Sequence, residues 1–198
     1  MDNLKFSTHD IIQVKQVLKN FEKSKSDLDI FYNLCFCLLV PQAKFASILK
    51  VIERLKQYDF YTKEPLADQL AELIKESRFK NRKALHLLSM KLQFNDVLKC
   101  LKSNTNYLEK RNWFVDNISG LGMKAASHFL RNMGGKDLAI IDTHILKFLN
   151  LGKVNKHTYM YVEEQFRQIA SKNNLYVAEL DALVWKSYSK TPWSDFVY

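Results

Sequence analysis

The chain has 198 residues, of which 47% are hydrophobic and 13% aromatic. This composition supports a packed core and excludes the disordered class. Only five glycines and three prolines are present, too few for the turns of a many-stranded β fold, so we expect an all-α protein. The net charge of +9 suits a polyanionic partner such as nucleic acid, although an excess of Lys and Arg can also serve solubility alone.

The sequence carries no sign of a membrane or secretory location. No apolar run reaches the ~18 residues of a membrane span, and the N-terminal region lacks a signal-peptide pattern, so we expect a cytoplasmic protein. The three cysteines, Cys35, Cys37 and Cys100, are too few for a four-cysteine iron–sulfur cluster and lack zinc-ligand spacing. We predict that they are reduced core residues, and we expect no cofactor.

Apolar residues recur at helical spacing along the chain. The first helix follows a Ser/Thr start over 8–23. The second, over 26–40, is capped by Ser26 or Asp27 and ends before Pro41. Both should pack in the core. Three amphipathic helices follow, the second of them with a proline at its start, over 43–57, 65–77 and 81–93.

The C-terminal half continues with five further helical stretches. One leads into a Gly-x-Gly hairpin, the next is closed by Gly134 and Gly135, and the third begins at Asp142. The predicted ranges are 103–118, 124–133, 142–150, 158–173 and 174–190, and an aromatic tail follows them. No repeat, linker or low-complexity segment divides the chain.

The hairpin sequence ISGLGMK, residues 118–124, has two glycines where the chain turns. Gly120 and Gly122 permit backbone angles and a close approach that a side chain would block. A phosphate oxygen can then meet main-chain N–H groups at the start of the next helix. The same pattern is also typical of a tight turn between two helices, and the glycines alone do not decide between the two interpretations.

Lys124 stands at the predicted start of the helix that follows the hairpin. A helix N-terminus carries about half a positive charge and disfavours a cation there, and partial burial disfavours it again. Both effects favour the neutral amine, which is a nucleophile. The alternative is a solvent-exposed lysine that only contacts phosphate.

Asp142 follows the apolar run LAII and lies 18 positions beyond Lys124 (142 − 124 = 18). A chain that turns back over this interval can place the carboxylate opposite the amine. Asp142 also suits the N-cap of the next helix, and the two roles are compatible because helix N–H groups keep a carboxylate ionised. His128 and His144 are predicted to serve packing or phosphate contact, not metal binding.

The stretch ISGLGMKAASHFLRNMGGKDLAIIDTHIL resembles the helix-hairpin-helix plus Gly/Pro-Asp signature of the DNA base-excision glycosylases. Within that superfamily, GMKAASHFLRN followed by AIIDTHIL is most similar to the type-2 8-oxoguanine DNA glycosylase/AP lyases. The match is specific over 118–149. It extends more loosely to LCFCLLVPQAK, SRFKNRKALHL and ELDALVW, and so covers most of the chain.

The resemblance implies both a fold and a reaction. The fold is two α-helical lobes with a cleft between them: about 25–90 in one lobe, 1–24 and 91–198 in the other. The helix-hairpin-helix lies at 106–133, with Lys124 at the mouth of the cleft. The reaction is excision of 8-oxoguanine from double-stranded DNA, followed by β-elimination through a lysine Schiff base. The resemblance further implies a monomer that associates with the nucleoid through DNA.

The resemblance also assigns roles to single residues. Lys124 matches the attacking amine and Asp142 the catalytic carboxylate of the lyase-competent members. The carbonyls of Ile118 and Leu121 match positions that hold a monovalent cation against a DNA phosphate, and no metal bound by side chains is expected. The residues expected to contact DNA are Gly120, Gly122, Met123 and His144.

Three residues are candidates for the base pocket: Gln42, Phe79 and Trp185. Trp185 matches an aromatic of the type-2 pocket, although its helical spacing with Leu180 and Leu183 is equally typical of a core residue. Family members commonly end soon after this helix with a lysine whose terminal carboxylate helps to read the purine. This chain instead continues KSYSKTPWSDFVY, a departure that bears on recognition of 8-oxoguanine more than on the lyase chemistry.

Two other function classes stay open. One is a different helix-hairpin-helix glycosylase, for oxidised pyrimidines or alkylated bases. The missing cysteine cluster argues against the usual endonuclease III form, and Lys124 argues against a simple alkyl-base hydrolase. The other class is a non-catalytic DNA-binding module with the same hairpin, which explains the charge and the glycines but gives Lys124 and Asp142 no purpose.

Overall fold

A computed structural model describes residues 6–152, 155–189 and 193 of the chain. These residues form eleven helices and no strand, which confirms the predicted all-α class. None of the described helices is long and apolar enough to cross a membrane. The helices are α1 (Thr8–Phe21), α2 (Asp27–Leu39), α3 (Phe45–Tyr58), α4 (Ala67–Leu73), α5 (Lys80–Leu92), α6 (Phe94–Lys102), α7 (Tyr107–Asn117), α8 (Met123–Asn132), α9 (Thr143–Phe148), α10 (Lys156–Lys172) and α11 (Val177–Ser189).

Side-chain caps fix where several helices begin. Ser26, not Asp27, caps α2: its hydroxyl accepts from the Asp29 amide at 3.1 Å, and the Asp29 carboxylate accepts from the Ser26 amide at 3.2 Å. Asn106 and Glu109 form the same reciprocal pair at the start of α7. Each pair satisfies two amides that have no partner inside the helix. The start of α2 agrees with the prediction, whereas α7 begins at Tyr107, four residues after the predicted 103.

Two further helices differ from the prediction. α6 was not predicted, because it follows α5 after the single residue Gln93, without a side-chain cap or a glycine or proline to mark the break. Buried Phe94 and Val97 anchor it. α4 is shorter than the predicted 65–77, and Pro65 precedes the helix instead of starting it.

Residues 24–129 form one compact unit. Its centre is α2, whose residues 31–39 are all buried and which packs against α3 and α5. Phe31 lies in an aromatic cluster, with its ring centroid 5.1 Å from those of Tyr61 and Phe94. Edge-on packing of this kind adds to the free energy gained from burial, so α2 forms the core of the unit.

The cysteines are free thiols. Cys35 and Cys37 are buried in α2, as predicted, whereas Cys100 on α6 is half-buried. Burial raises the pKa of the Cys35 thiol well above its usual range, so this thiol is protonated and unreactive at neutral pH. Within the described residues, no group of three or more His, Cys, Asp or Glu side chains could hold a metal ion.

Residues 1–23 and 130–198 form the other compact unit. α1 packs against α11, which confirms the predicted pairing of the N-terminal helix with the C-terminal ones, and α9 and α10 also contact α11. The segment after Ser189, apart from Trp193, lies outside the described residues. The shared core of α1 and α11 consists of Val14, Leu18, Phe21, Ala178, Ala182 and Leu183.

The division between the units falls within α8, so residues 91–129 group with 24–90 and not with the termini. The helices explain this grouping: α5 contacts α6, and α6 contacts α7. Phe114 of α7 then packs against Phe129 of α8, with ring centroids 5.0 Å apart. The predicted lobe boundaries and the cleft stay predictions.

Candidate active site

The hairpin joins α7 to α8 through residues 118–122. The Leu121 amide donates to the Ile118 carbonyl at 3.1 Å and closes the turn. Ile118 and Leu121 are buried, and Gly120 has a φ of +85°, which favours glycine. These features confirm the predicted helix-hairpin-helix, and its second helix begins at Met123.

The two hairpin glycines have different surroundings. A Cβ built on Gly120 would lie 2.6 Å from the ring of His86, whose Nδ1 is 2.9 Å from the Ser119 hydroxyl. A Cβ on Gly122 would meet no atom within 4 Å. Gly120 is therefore required by the protein itself, while Gly122 leaves open space beside the start of α8.

We expect Gly120→Ala to destabilise the fold and Gly122→Ala to leave it unchanged. Alanine at position 120 combines a left-handed backbone with a clash against His86, which should cost about 2 kcal/mol or more. Thermal unfolding should then show a Tm roughly 4–8 °C below the native value for Gly120→Ala and a native Tm for Gly122→Ala. Equal Tm values for the two variants would contradict this account of Gly120.

Lys124 is the second residue of α8, not the first, and its side chain is exposed. The expected partial burial is therefore wrong for this structure. The core-facing positions of the helix are taken by residues such as Ala125, Ala126 and Phe129, so the lysine points to solvent. Its predicted place in the first turn of the helix is confirmed.

A buried arginine that sequence reasoning missed ties the two hairpin helices together. Arg111 of α7 is fully buried, and its Nη1 donates to the Ser127 hydroxyl on α8 at 3.1 Å. His128 packs edge-on against Phe36, with ring centroids 5.8 Å apart, as its predicted packing role requires. The backbone that carries Lys124 is thus fixed by the contacts of α8.

Asp142 is the N-cap of α9, as predicted. Its Oδ1 accepts from the His144 amide at 2.8 Å and from the Ile145 amide at 3.0 Å. Both bonds end on the same oxygen, so Oδ2 keeps its lone pairs for another partner. The His144 ring stacks on Tyr188, with centroids 5.8 Å apart and planes 20° apart. The carboxylate is half-buried and its direction is set by the helix.

Gln42 and Phe79 share an unusual backbone conformation. Both are exposed and left-handed, with φ values of 59° and 61°. The guanidinium of Arg78 lies 4.8 Å from the centre of the Phe79 ring. A left-handed non-glycine residue is uncommon and costs free energy, and Asp59 is the third such residue in this unit.

Lys83 holds the chain beside both of these residues. Its buried ammonium donates to the carbonyls of Leu39 at 2.6 Å and Pro41 at 2.8 Å, and to the Ser77 hydroxyl at 3.0 Å. These three acceptors match its three donors. Burial lowers the pKa of Lys83 to about 8. Sequence reasoning missed this residue, because nothing local marks a lysine that bonds across 44 positions.

Trp185 lies in the other unit and is half-buried, packed against the core shared by α1 and α11. Packing is thus part of its role, as its spacing with Leu180 and Leu183 suggested. Part of the ring stays accessible, so its candidacy for the base pocket stays a prediction.

Comparison with known proteins identifies the family to which the chain belongs. The family model described as 8-oxoguanine DNA glycosylase matches residues 13–175. The chain belongs to the 8-oxoguanine DNA glycosylase family. This membership confirms the resemblance seen in the hairpin and the Asp142 segment, and it places most of the chain, not only the motif, within the family.

Relatives and solved structures agree with the family model. An 8-oxoguanine DNA glycosylase/AP lyase of Fusobacterium nucleatum is 33% identical over 183 residues, which cover 84% of this chain and 83% of that protein. A Methanocaldococcus jannaschii enzyme of the same name is 33% identical over 89% of this chain and 88% of its own. The crystal structure of the M. jannaschii 8-oxoguanine glycosylase/lyase with a 15mer DNA containing 8-oxoguanine aligns with a TM-score of 0.82. It is 28% identical and covers 94% of this chain and 93% of that chain.

Proposed function

We propose that this protein is a bifunctional DNA glycosylase/AP lyase that removes 8-oxoguanine from double-stranded DNA and cleaves the abasic strand. One observation carries the proposal: Lys124 is an exposed amine in the first turn of the second hairpin helix, in a chain of this family. The names of the F. nucleatum and M. jannaschii relatives support the substrate and both reactions.

Lys124 attacks C1′ of the damaged nucleotide after that nucleotide has been flipped out of the duplex. The neutral Nζ forms a bond to C1′ while the N-glycosidic bond breaks, and the bonding electron pair leaves with the base. Opening of the sugar ring then gives an iminium. Loss of a C2′ proton eliminates the 3′ phosphate, and hydrolysis of the iminium returns the lysine. The exposure of Lys124 supports this role, because the amine can reach DNA without rearrangement.

Asp142 supports this chemistry with a fixed negative charge. It aids deprotonation of the attacking amine and stabilises the positive charge that develops on the sugar as the glycosidic bond breaks. Its Oδ1 is held by two amides of α9, which keeps the carboxylate in one orientation. Such a preorganised charge needs no rearrangement during the reaction.

The hairpin and the start of α9 bind the DNA backbone. The first-turn amides of α8 lack intrahelical partners, and Gly122 leaves space for a phosphate to approach them. The net charge of +9 adds affinity that does not depend on sequence. The proposed contact residues are Gly120, Gly122, Met123 and His144.

The chemistry requires no cofactor, since lysine supplies the nucleophile. A monovalent cation can still assist phosphate binding at the carbonyls of Ile118 and Leu121. The Ile118 oxygen accepts one hydrogen bond, from the Leu121 amide. A carbonyl oxygen has two lone pairs, so one remains for the cation and the residues fit such an ion.

Gln42, Phe79 and Trp185 are proposed to line the site that receives the flipped base. The accessible surfaces of Gln42 and Phe79 and the exposed part of Trp185 support this assignment. The protein is further proposed to act as a monomer in the cytoplasm, on nucleoid DNA. Membership of a family of DNA-acting enzymes supports that location.

We expect a panel of damaged duplexes to identify both the substrate and the reaction. Duplexes containing 8-oxoguanine, an oxidised pyrimidine, an alkylated purine or no lesion are incubated with the protein and resolved on a denaturing gel. The 8-oxoguanine strand should be cut without heat or alkali, because β-elimination accompanies excision. Cleavage of the oxidised pyrimidine alone would identify a different glycosylase, and binding without cleavage of any duplex would identify a non-catalytic module.

A further inference from the structure

The segment Leu138–Ile141 leads from α8 to Asp142 without forming a helix. All four of its side chains are buried. Its backbone N–H groups are therefore removed from water and need hydrogen-bond partners. No strand lies beside the segment within the described part of the chain, so side chains must supply them.

Tyr159 of α10 bonds this segment twice. Its hydroxyl accepts from the Ile141 amide at 3.2 Å and donates to the Ala139 carbonyl at 2.8 Å. The hydroxyl thus fixes both ends of a three-residue stretch with one oxygen. Tyr159 as a whole is 5% exposed, so its ring has little freedom to move.

Two buried carboxylates hold two more amides of the segment. The Ala139 amide donates to Oε1 of Glu163 on α10 at 3.0 Å, and the Ile140 amide donates to Oδ2 of Asp181 on α11 at 2.5 Å. Glu163 is 1% exposed and Asp181 is 5% exposed. Three consecutive amides before Asp142 therefore end on three side chains from two helices.

The use of carboxylates here needs a reason. Burying a charge costs far more free energy than burying a neutral acceptor, and a neutral acceptor would satisfy an amide equally well. Charge-assisted hydrogen bonds are, however, shorter and roughly twice as strong as neutral ones, so they hold the backbone more firmly. The arrangement thus gives up favourable solvation of two charges and gains a rigid backbone position.

The rigid backbone of 139–141 fixes the position of Asp142. This residue directly follows the held segment, and on its other side its carboxylate is bonded to the amides of His144 and Ile145. The backbone before it is fixed by α10 and α11, and its side chain is fixed by α9. All of these residues belong to the same compact unit.

We propose that Tyr159, Glu163 and Asp181 are positioning residues for the Asp142 carboxylate. They act through the backbone of 139–141 and touch neither DNA nor the reacting atoms. This inference rests on the proposed function of Asp142 in base excision. Displacement of a reacting group by about 1 Å can cost on the order of 10²-fold in rate, so loss of one support should be measurable.

Tyr159→Phe is the test, because it removes both hydrogen bonds of the hydroxyl and keeps the ring. The single-turnover rate of base excision on an 8-oxoguanine duplex should fall by about 10- to 100-fold, with duplex affinity within about twofold. In the Asp142→Asn background the same substitution should change the rate by less than about twofold. A merely structural role would lower the rate by the same factor in both backgrounds.

Tyr32→Phe is the matched control. The Tyr32 hydroxyl is also buried, donates to the Leu55 carbonyl at 3.3 Å and accepts from the Tyr61 amide at 3.4 Å, but in the other unit. The control loses the same two kinds of bond without affecting residues 139–142. Its excision rate should stay within about twofold of the native rate.

Asp181→Asn provides a second variant if Tyr159→Phe fails to fold. The amide oxygen can still accept from Ile140, so the fold should persist while the charge-assisted bond is lost, and the rate should fall about 3- to 10-fold. Native rates for both variants, or equal losses with and without Asp142, would overturn the positioning role. A native rate for Asp142→Asn alone would instead reject the proposed function of Asp142.

Discussion

Lys124→Gln should abolish strand cleavage and leave duplex binding largely intact. Glutamine has no nucleophilic amine, so neither the bond to C1′ nor the Schiff base can form, and the cleavage rate should fall on the order of 10³-fold or more. Binding should stay within about tenfold, because hairpin amides and the other basic residues provide most phosphate contacts. Lys124 is exposed, so the substitution should not alter the fold.

Borohydride trapping measures this loss directly. Reduction of the iminium links the native protein to an 8-oxoguanine strand, and the Lys124→Gln protein should yield no adduct. Lys102→Gln, at an exposed lysine that ends α6 in the same unit, should trap at the native yield. A Lys124→Gln protein that still traps fully would show that another amine is the nucleophile and would leave Lys124 as a phosphate contact.

The sequence was informative wherever local chemistry sets the structure. Ser26 and Asn106 cap helices by bonds to residues three positions away, and Asp142 does so by bonds two and three positions away. Glycines at 120 and 122 mark the hairpin in the same local way. The starts of α2 and α9 and the hairpin could therefore be predicted. The start of α7 was placed at 103 although Asn106 marks it locally, and α6 was missed because its start has no such signal.

Side chains that act across long distances in sequence could not be predicted. Glu163 and Asp181 bond amides 24 and 41 positions away, and Lys83 bonds a carbonyl 44 positions away. Each is a charged residue in a helix, and the usual expectation for a charged side chain is exposure to solvent. Only the packing of the helices identifies them as buried supports of the backbone.

The surroundings of individual site residues also depend on that packing. Gly120 suggested room for a phosphate, but the His86 ring already lies beside it. Lys124 was expected to be partly buried and is exposed, because the position of the core relative to α8 decides which side of the helix faces solvent. The left-handed backbone of Gln42 and Phe79 likewise could not be predicted from sequence, since neither residue type favours that conformation.

Asp142→Asn should slow base excision by on the order of 10²–10³-fold, the usual effect of removing a preorganised electrostatic group. The asparagine Oδ1 can still accept from the His144 and Ile145 amides, so the cap of α9 survives. Loss of the charge at the helix N-terminus should cost only about 0.3–1 kcal/mol of stability. The rate should therefore fall much more than the Tm.

Single-turnover excision on the 8-oxoguanine duplex checks this expectation, with duplex affinity measured in parallel. Asp29→Asn is the control, since Asp29 is also a carboxylate in the first turn of a helix with bonds to its capping residue. It should excise at the native rate. If both variants were equally slow, a general loss of fold would explain the result. If both were fast, Asp142 would be a helix cap without a catalytic charge. Only a slow Asp142→Asn beside a native Asp29→Asn assigns the negative charge to the transition state, since the two substitutions remove the same charge from similar helix starts.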